Sequence, residues 1–314
     1  MFGFRADGTL VKDIDPIEKI VPYIMFDRND ACNLANAEIV CDDIDKWIKK
    51  EYEEHGLEFN YMHIIMAAGI RIFALRQKLN RFVVNGRIYQ RNSLQISLTI
   101  KENLRDDSPD ISIKMRFTGQ ENIYEVKEII DRNIKEALQA SAQEHGTTKV
   151  AKFLTHVPAG LIKFGVGLVK ALDRGGMLPK SILDVSPFHT SFYVTNLKSI
   201  KGDAIYHHLY NFGTTGVFIA MGKESMKAVV EKNGDIAVKK VMKLGFTVDE
   251  RFCDGFYFVK TMRTLKRIIA NPAVLEQRLD IEPIESKKER KQRLKAIEKE
   301  QKAKEKAEKK NSKK

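Results

Sequence analysis

The most constraining stretch of this chain runs from residue 238 to residue 272. Val238, Val241, Leu244, Phe246 and Val248 predict a strand. It ends in a charged turn, Asp249-Glu250-Arg251-Phe252-Cys253-Asp254-Gly255. A helix follows, with Phe256, Val259, Met262, Leu265 and Ile269 expected on its inner side and Asn271-Pro272 as its stop. Gly255 is expected to permit the tight turn. A strand feeding a helix through a charged turn holds side chains on rigid elements, which suits either a catalytic group or a plain solvated turn.

The remaining pattern is that of a mixed α/β chain. Pro16 to Met25 reads as a short helix and Glu38 to Cys41 as a strand. Asp42 or Asp43 is placed to cap a helix that Gly56 ends. Tyr61 to Leu79 is apolar nearly all round, which predicts a central buried helix and makes His63 a core histidine. Asn85-Gly86 between Phe82-Val83-Val84 and Arg87-Ile88-Tyr89 is a hairpin signal, because both residues accept positive φ. Leu94 to Ile100 and Ile111 to Phe117 alternate as strands, and a helix is expected from Asn122 to Gln143. Phe153 to Leu172, with Leu161, Phe164, Leu168 and Leu172 at helical spacing, reads as a buried helix or a subunit contact, and membrane-surface attachment is the minor alternative. Ser191 to Leu197 and Thr214 to Met221 are strands, and Asn233-Gly234 turns the chain into the strand that reaches Glu250.

Charge matters only by its distribution. The chain of 314 residues has a net charge of +12, yet residues 286–314 alone carry 14 Lys/Arg against 5 Asp/Glu. The body is therefore nearly neutral, which argues against a nucleic-acid-binding core. The tail, from 285 to 314, has few apolar residues and is expected to be a frayed, solvated helix or disordered; it could contact acidic partners or simply aid solubility. Its i,i+4 pairs include Glu289 with Arg293 and Glu298 with Lys302. No apolar stretch of about 20 residues predicts a membrane span. Three separated cysteines, Cys32, Cys41 and Cys253, suggest neither a disulfide frame nor a metal site, and fit a cytoplasmic chain.

The turn at 249–255 resembles the C-terminal signature of the chloramphenicol acetyltransferase and dihydrolipoamide acyltransferase superfamily, His-x-x-x-Asp-Gly, often with Asp before the His and Arg after it. Asp249, Arg251, Asp254 and Gly255 match, and Glu250 stands at the His. Ser191-Phe192-Tyr193-Val194-Thr195-Asn196-Leu197 resembles the strand bearing the family's hydroxyl residue, and Asn211 to Lys223 the segment that closes on Gly-Lys. The resemblance covers about residues 15–280. It implies an acyltransferase-like core domain at 1–284, a mixed sheet flanked by helices, with an apolar insertion at 148–185 and without a lipoyl domain. It also implies a homotrimer with sites between subunits and a coenzyme A thioester, or another thiol ligand, as substrate. Carried over by position, Thr195 becomes the oxyanion donor, Asp254 a structural carboxylate paired with an Arg, and Glu250 occupies the place of the base.

Glu is a poor substitute for His with a thiol. Moving a proton from a thiol (pKa about 8.5) to a carboxylate (about 4.3) is uphill by roughly 5.7 kcal/mol, against roughly 2.7 kcal/mol to imidazole (about 6.5). Burial that raises the Glu pKa would recover part of this. Otherwise His189, His207 or His208 must supply the base. The alternative function is a non-catalytic trimeric scaffold or acyl-CoA-binding relative.

Overall fold

The computed structural model describes residues 5–101, 110–143, 157–231 and 233–311. Its centre is helix α3 (Tyr61–Leu75), in which every residue from His63 to Ala74 is buried. The helix starts at Asn60, whose side chain accepts from the His63 N–H while the His63 ring accepts from the Asn60 N–H. It stops at Leu75, short of the expected Leu79, because residues 77–80 tighten into a 3₁₀ turn before strand β3.

Six strands form one mixed sheet against which α3 packs: β2 (Cys32–Val40), β5 (Leu94–Lys101), β6 (Asp110–Phe117), β7 (Phe192–Asn196), β8 (Val217–Val230) and β9 (Ile236–Asp249). Their order is β2-β9-β8-β7-β5-β6, with β7 parallel to both β5 and β8 and the other pairs antiparallel. A smaller sheet joins β1 (Gly8–Leu10), β4 (Arg87–Arg91) and β3 (Arg81–Val84); Asn85 and Gly86 turn its hairpin with φ of 54° and 69°. This is the expected mixed sheet flanked by helices.

Most of the helical packing lies on one face of the large sheet; on the other, Lys114 Nζ and Ser97 Oγ meet the carbonyls of Leu183, Ser186 and Pro187, at and just after the short helix that starts at Lys180. Leu94, Ile96 and Leu98 of β5, Phe192 and Val194 of β7, Val217, Ile219 and Met221 of β8, and Leu244, Phe246 and Val248 of β9 share a core with α3. Helices α2 (Asp42–His55), α4 (Ile123–Gln143) and α7 (Gly255–Ala270) complete that layer. Phe192 meets Phe73 at 4.7 Å between ring centroids and lies against Gly69, where a Cβ would stand 2.8 Å from the Phe192 ring.

Several expectations change. The inner face of α7 carries Phe258, Thr261, Leu265, Ile268 and Ile269, whereas Phe256 and Val259 are exposed, 72% and 50%. The sheet side of this helix is thus rotated from the one that its apolar residues alone suggest. Helix α2 has no side-chain cap; Cys41 precedes it directly from β2. Strand β8 runs on to Val230, and with β9 it forms a two-stranded arm whose Met226, Val230, Ile236 and Val238 face solvent. Among the described residues no element buries these side chains.

The segment read as a buried helix or a subunit contact is α5 (Ala159–Arg174); within this chain it is not buried, since Leu161, Phe164 and Leu168 are all at least half exposed. It sits with α1 (Pro16–Ile24) beside the β3–β4 hairpin, and the short α6 (Lys180–Val185) follows. The beginning of that stretch, up to residue 156, lies outside the described residues. The tail forms helix α8 (Lys287–Asn311), the helical one of the expected alternatives. Ser286 and Glu289 cap each other reciprocally, and Glu289 pairs with Arg116 at 2.6 Å instead of with Arg293. Two further i,i+4 pairs that the sequence offers, Glu300 with Lys304 and Glu305 with Lys309, fall on side chains outside the described residues.

Two glycine substitutions separate helix propensity from packing. Gly69→Ala should lower stability by about 1–3 kcal/mol despite the better helix former, because the new methyl collides with Phe192. Gly165→Ala, in open space on α5, should raise it by about 0.5–1 kcal/mol. Urea unfolding of the two variants measures both.

Candidate active site

Because helices fill one face, the alternate residues of every strand point to the other. The strand register lines up two rows there. One row reads Lys114, Ser97, Tyr193, Phe218, Thr247 and Leu34; the next reads Ser112, Thr99, Thr195, Ala220, Gly245 and Asn36. The second row is small and mostly hydroxylic. The Tyr193 hydroxyl bonds Thr99 and lies 3.3 Å from Ser112. Thr195 is half-buried, and its hydroxyl has no hydrogen-bond partner among the described residues. It is free to donate.

The loop from 201 to 216 crosses this face. It approaches the sheet closely at two glycines. A Cβ on Gly222 would lie 2.3 Å from the Ala204 nitrogen, and one on Gly245 would lie 2.1 Å from the Ile205 carbonyl oxygen. No other residue type fits under the loop at either place. The Lys223 N–H donates to the Gly202 carbonyl at the bulge in β8, and Asn36 Nδ2 donates to the Tyr206 hydroxyl at 2.8 Å. The loop then lays the His207 ring flat on Phe218, 3.9 Å between centroids and 6° apart, and Phe218 stacks in turn on Tyr193 at 5.0 Å. His207 Nδ1 lies 2.8 Å from the His208 carbonyl, so Nδ1 carries the proton as donor and Nε2 is the free acceptor. Burial lowers the His207 pKa from its ordinary value.

Just past Thr247, at the C-terminal end of β9, the turn separates its two aspartates. Asp249 is fully buried and accepts from Arg251 Nε and Nη2 at 2.9 and 2.8 Å; Arg28 Nε lies 3.6 Å away. Arg28 also donates to the Tyr210 carbonyl and Arg251 to the Phe26 carbonyl, so this cluster ties the N-terminal segment and the 201–216 loop to the strand end. Asp254, expected to make that ion pair, is exposed and caps α7 by accepting from the Tyr257 N–H at 2.9 Å. The structural carboxylate paired with an N-terminal arginine is therefore Asp249. Gly255 opens α7 without a positive φ, so the turn depends on the Asp254 cap instead.

Glu250 is half-buried. Its N–H donates to the Ala31 carbonyl, and its carboxylate has no partner among the described residues. Thr195 aligns with Ala220 and Gly245, five residues before Glu250. At ~3.3 Å per residue and ~4.8 Å per strand, Glu250 and Thr195 of one chain stand on the order of 19 Å apart. One chain does not bring them together. His189 is excluded from the open face: it is buried between Ser186 Oγ at 2.7 Å and Asp173, which Arg5 also binds. His208 is exposed and stacks on His207.

Beside the Asp249 cluster, a groove of about 370 Å³ separates α1, α5 and the β3–β4 hairpin; Arg28, Lys170, Arg174 and Arg251 give it an excess of positive charge over Asp27 and Asp173.

Comparison with known proteins bears on the strands and the turn just described. Residues 189–276 match the family model of 2-oxoacid dehydrogenases acyltransferase (catalytic domain). That stretch spans β7, the loop, β8, β9 and α7. The fold of the acyltransferase cores extends over most of the chain. The cubic core of a pyruvate dehydrogenase multienzyme complex superposes with a TM-score of 0.54 at 10% identity, covering 85% of this chain and 94% of that one. The dihydrolipoamide acetyltransferase of Azotobacter vinelandii, studied for the roles of a serine, a histidine and an asparagine in its mechanism, gives 0.51 at 11% identity, with coverages of 85% and 94%. The truncated catalytic core of the 2-oxoacid dehydrogenase multienzyme complex of Thermoplasma acidophilum gives 0.51 at 12%, with 83% and 98%. No curated protein sequence matches significantly.

The sequence did not single out Asp249 over Asp254, nor His207 over its two companions. The available signals were Gly222 and Gly245, glycines inside strands, which mark close approach of another backbone.

The two aspartates of the turn should separate by stability. Asp249→Ala leaves Arg251 and Arg28 buried and uncompensated and should cost about 3–5 kcal/mol. Asp254→Ala loses only a helix cap, about 1 kcal/mol. Guanidinium unfolding midpoints of both variants check the order.

Proposed function

We propose that this chain transfers acyl groups between thiols on the face of its large sheet opposite α3, with coenzyme A as one thiol. The observation that carries this reading is the unpartnered Thr195 hydroxyl, held on the short parallel strand β7 in a row of small polar residues. A tetrahedral intermediate formed above that row places its oxyanion within reach of the hydroxyl, and a donor fixed on a central strand needs no reorganisation when the charge develops. The family match over 189–276 supports the same chemistry. The cationic groove at Arg28, Lys170, Arg174 and Arg251 suits the phosphates of coenzyme A.

Two further features belong to this proposal. Glu250 reaches a Thr195 only if a second copy supplies it, which a homotrimer with sites between subunits provides. No helix among the described residues is long and apolar enough to cross a membrane, and a cytoplasmic place fits the substrate. The alternative of a non-catalytic scaffold draws on one observation, the distance between Glu250 and Thr195 within the chain.

The test is acyl exchange between acetyl-CoA or octanoyl-CoA and dihydrolipoamide, with released coenzyme A measured by chromatography. Thr195→Val, which keeps shape and removes the donor, should lower kcat about 10²–10³-fold with KM little changed. Equal rates for wild type and Thr195→Val would remove the reading.

A further inference from the structure

The acyl-transfer reading leaves the proton acceptor open, and the geometry points to His207 as the general base of this site, working with Thr195 of the same chain. This inference rests on the proposed activity and names the group that drives it.

Four observations converge on the assignment. First, His207 and Thr195 face the same space. Phe218, on which the imidazole lies, and Ala220, the partner of Thr195, are two residues apart on β8 and point to the same side. Thr195 is thus a diagonal neighbour of the ring beneath His207, about 7–8 Å away across adjacent strands. That spacing separates Thr195 from Phe218, and the imidazole lies 3.9 Å from the Phe218 ring on the same face of the sheet. Second, the imidazole is oriented. Its flat stack on Phe218 and the Nδ1 contact to the His208 carbonyl fix one tautomer and leave Nε2 as acceptor. Third, the loop that carries it is pressed onto the sheet at Gly222 and Gly245, where a side chain of any kind would push it away. Gly245 lies in the Thr195 row itself. Fourth, the buried Thr247 hydroxyl, next to Phe218 in the adjacent row, has no partner among the described residues, so polar capacity remains on this face.

The step balances without any further reagent. The thiol gives its proton to His207 Nε2, and the thiolate sulfur bonds to the acyl carbonyl carbon. The carbonyl oxygen becomes the oxyanion and accepts from Thr195. The intermediate then collapses, the original C–S bond breaks, and the leaving thiolate takes the proton back from His207. The imidazolium formed midway attracts the thiolate beside it, an attraction that a carboxylate base does not offer.

The groups facing His207 are few. His208 and Tyr210 adjoin it from its own loop, Tyr193 lies beyond Phe218 on β7, and Cys32 borders the same cluster from β2. Burial and the His208 charge both hold the His207 pKa below the ordinary 6.5, while the His208 carbonyl partly opposes them. Neutral imidazole is the working form, so activity should be present above that pKa and fall as pH drops through it.

The experiment measures acetyl-CoA to dihydrolipoamide exchange in the full chain with His207→Ala, His208→Gln, Glu250→Gln and Gly245→Ala. His207→Ala should lose about 10²–10⁴-fold in kcat, regain activity with added imidazole, and lack the acid limb whose wild-type midpoint lies below 6.5. Gly245→Ala should lower kcat by displacing the loop, while His208→Gln stays within a few-fold of wild type. A Glu250→Gln variant that loses exchange while His207→Ala keeps it overturns the assignment and returns the role to Glu250. Exchange by wild type that is unaffected in His207→Ala overturns it while acyl transfer survives. No exchange by wild type at all overturns acyl transfer, and the base with it.

Discussion

The structure depends on α3 filling one face of the large sheet. Its residues from His63 to Ala74 are all buried, and it meets β5 and β7 through Gly69, Phe73 and Phe192. Fully burying a large apolar side chain stabilises by about 1.5–3 kcal/mol. A helix without a polar side cannot be placed anywhere else in a chain of this size. Its placement leaves the opposite face to a different cover: residues 183–187 at the β5–β6 side, and the 201–216 loop over β7, β8 and β9, where Leu209 joins Tyr193 and Phe218 in a small buried cluster beside the small-residue row.

Elements that bury a continuous apolar pattern were legible in the sequence. The central helix, the Asn85-Gly86 hairpin and the β7 strand all follow from local chemistry that tertiary contacts reinforce. What was not legible lacked such a pattern or had it on the solvent side. The β8–β9 arm carries exposed valines and isoleucines, and α5 presents Leu161, Phe164 and Leu168 outward. Apolar periodicity reports an amphipathic helix but not whether another element covers it. Helix α7 shows the converse: Thr261 is buried and Phe256 is not, because the direction from which the chain enters the helix at Asp254 sets the inner face.

The candidate site divides the same way. Thr195 was legible from its strand. The buried carboxylate lies five residues before the expected one, because Asp249 and Asp254 differ only in what surrounds them: two arginines in one case, the start of a helix in the other. Arg28 could not be chosen from the sequence, since its link to Asp249 spans more than 200 residues. The same arginine holds the Tyr210 carbonyl. The cluster thus fixes the end of the loop that carries His207 as well as the turn that carries Glu250.

That shared anchor bears on why an imidazole on a loop can replace one on a strand end. A loop normally holds a catalytic group less firmly than a strand does. This loop is held at its start by Gly202 on Lys223, in its middle by Ile205 and Tyr206 on Gly245 and Asn36, and at its end by Arg28 on Tyr210. Each contact falls on the sheet or on a residue buried against it. Between those points the ring of His207 has a flat partner in Phe218, which limits its rotation. With the proton position fixed by the His208 carbonyl, the imidazole meets the geometric demands on a general base without any contribution from the turn at 250. Under the proposed assignment to His207, a carboxylate at Glu250 need not act as the base, and its presence there conflicts with neither the fold nor that chemistry.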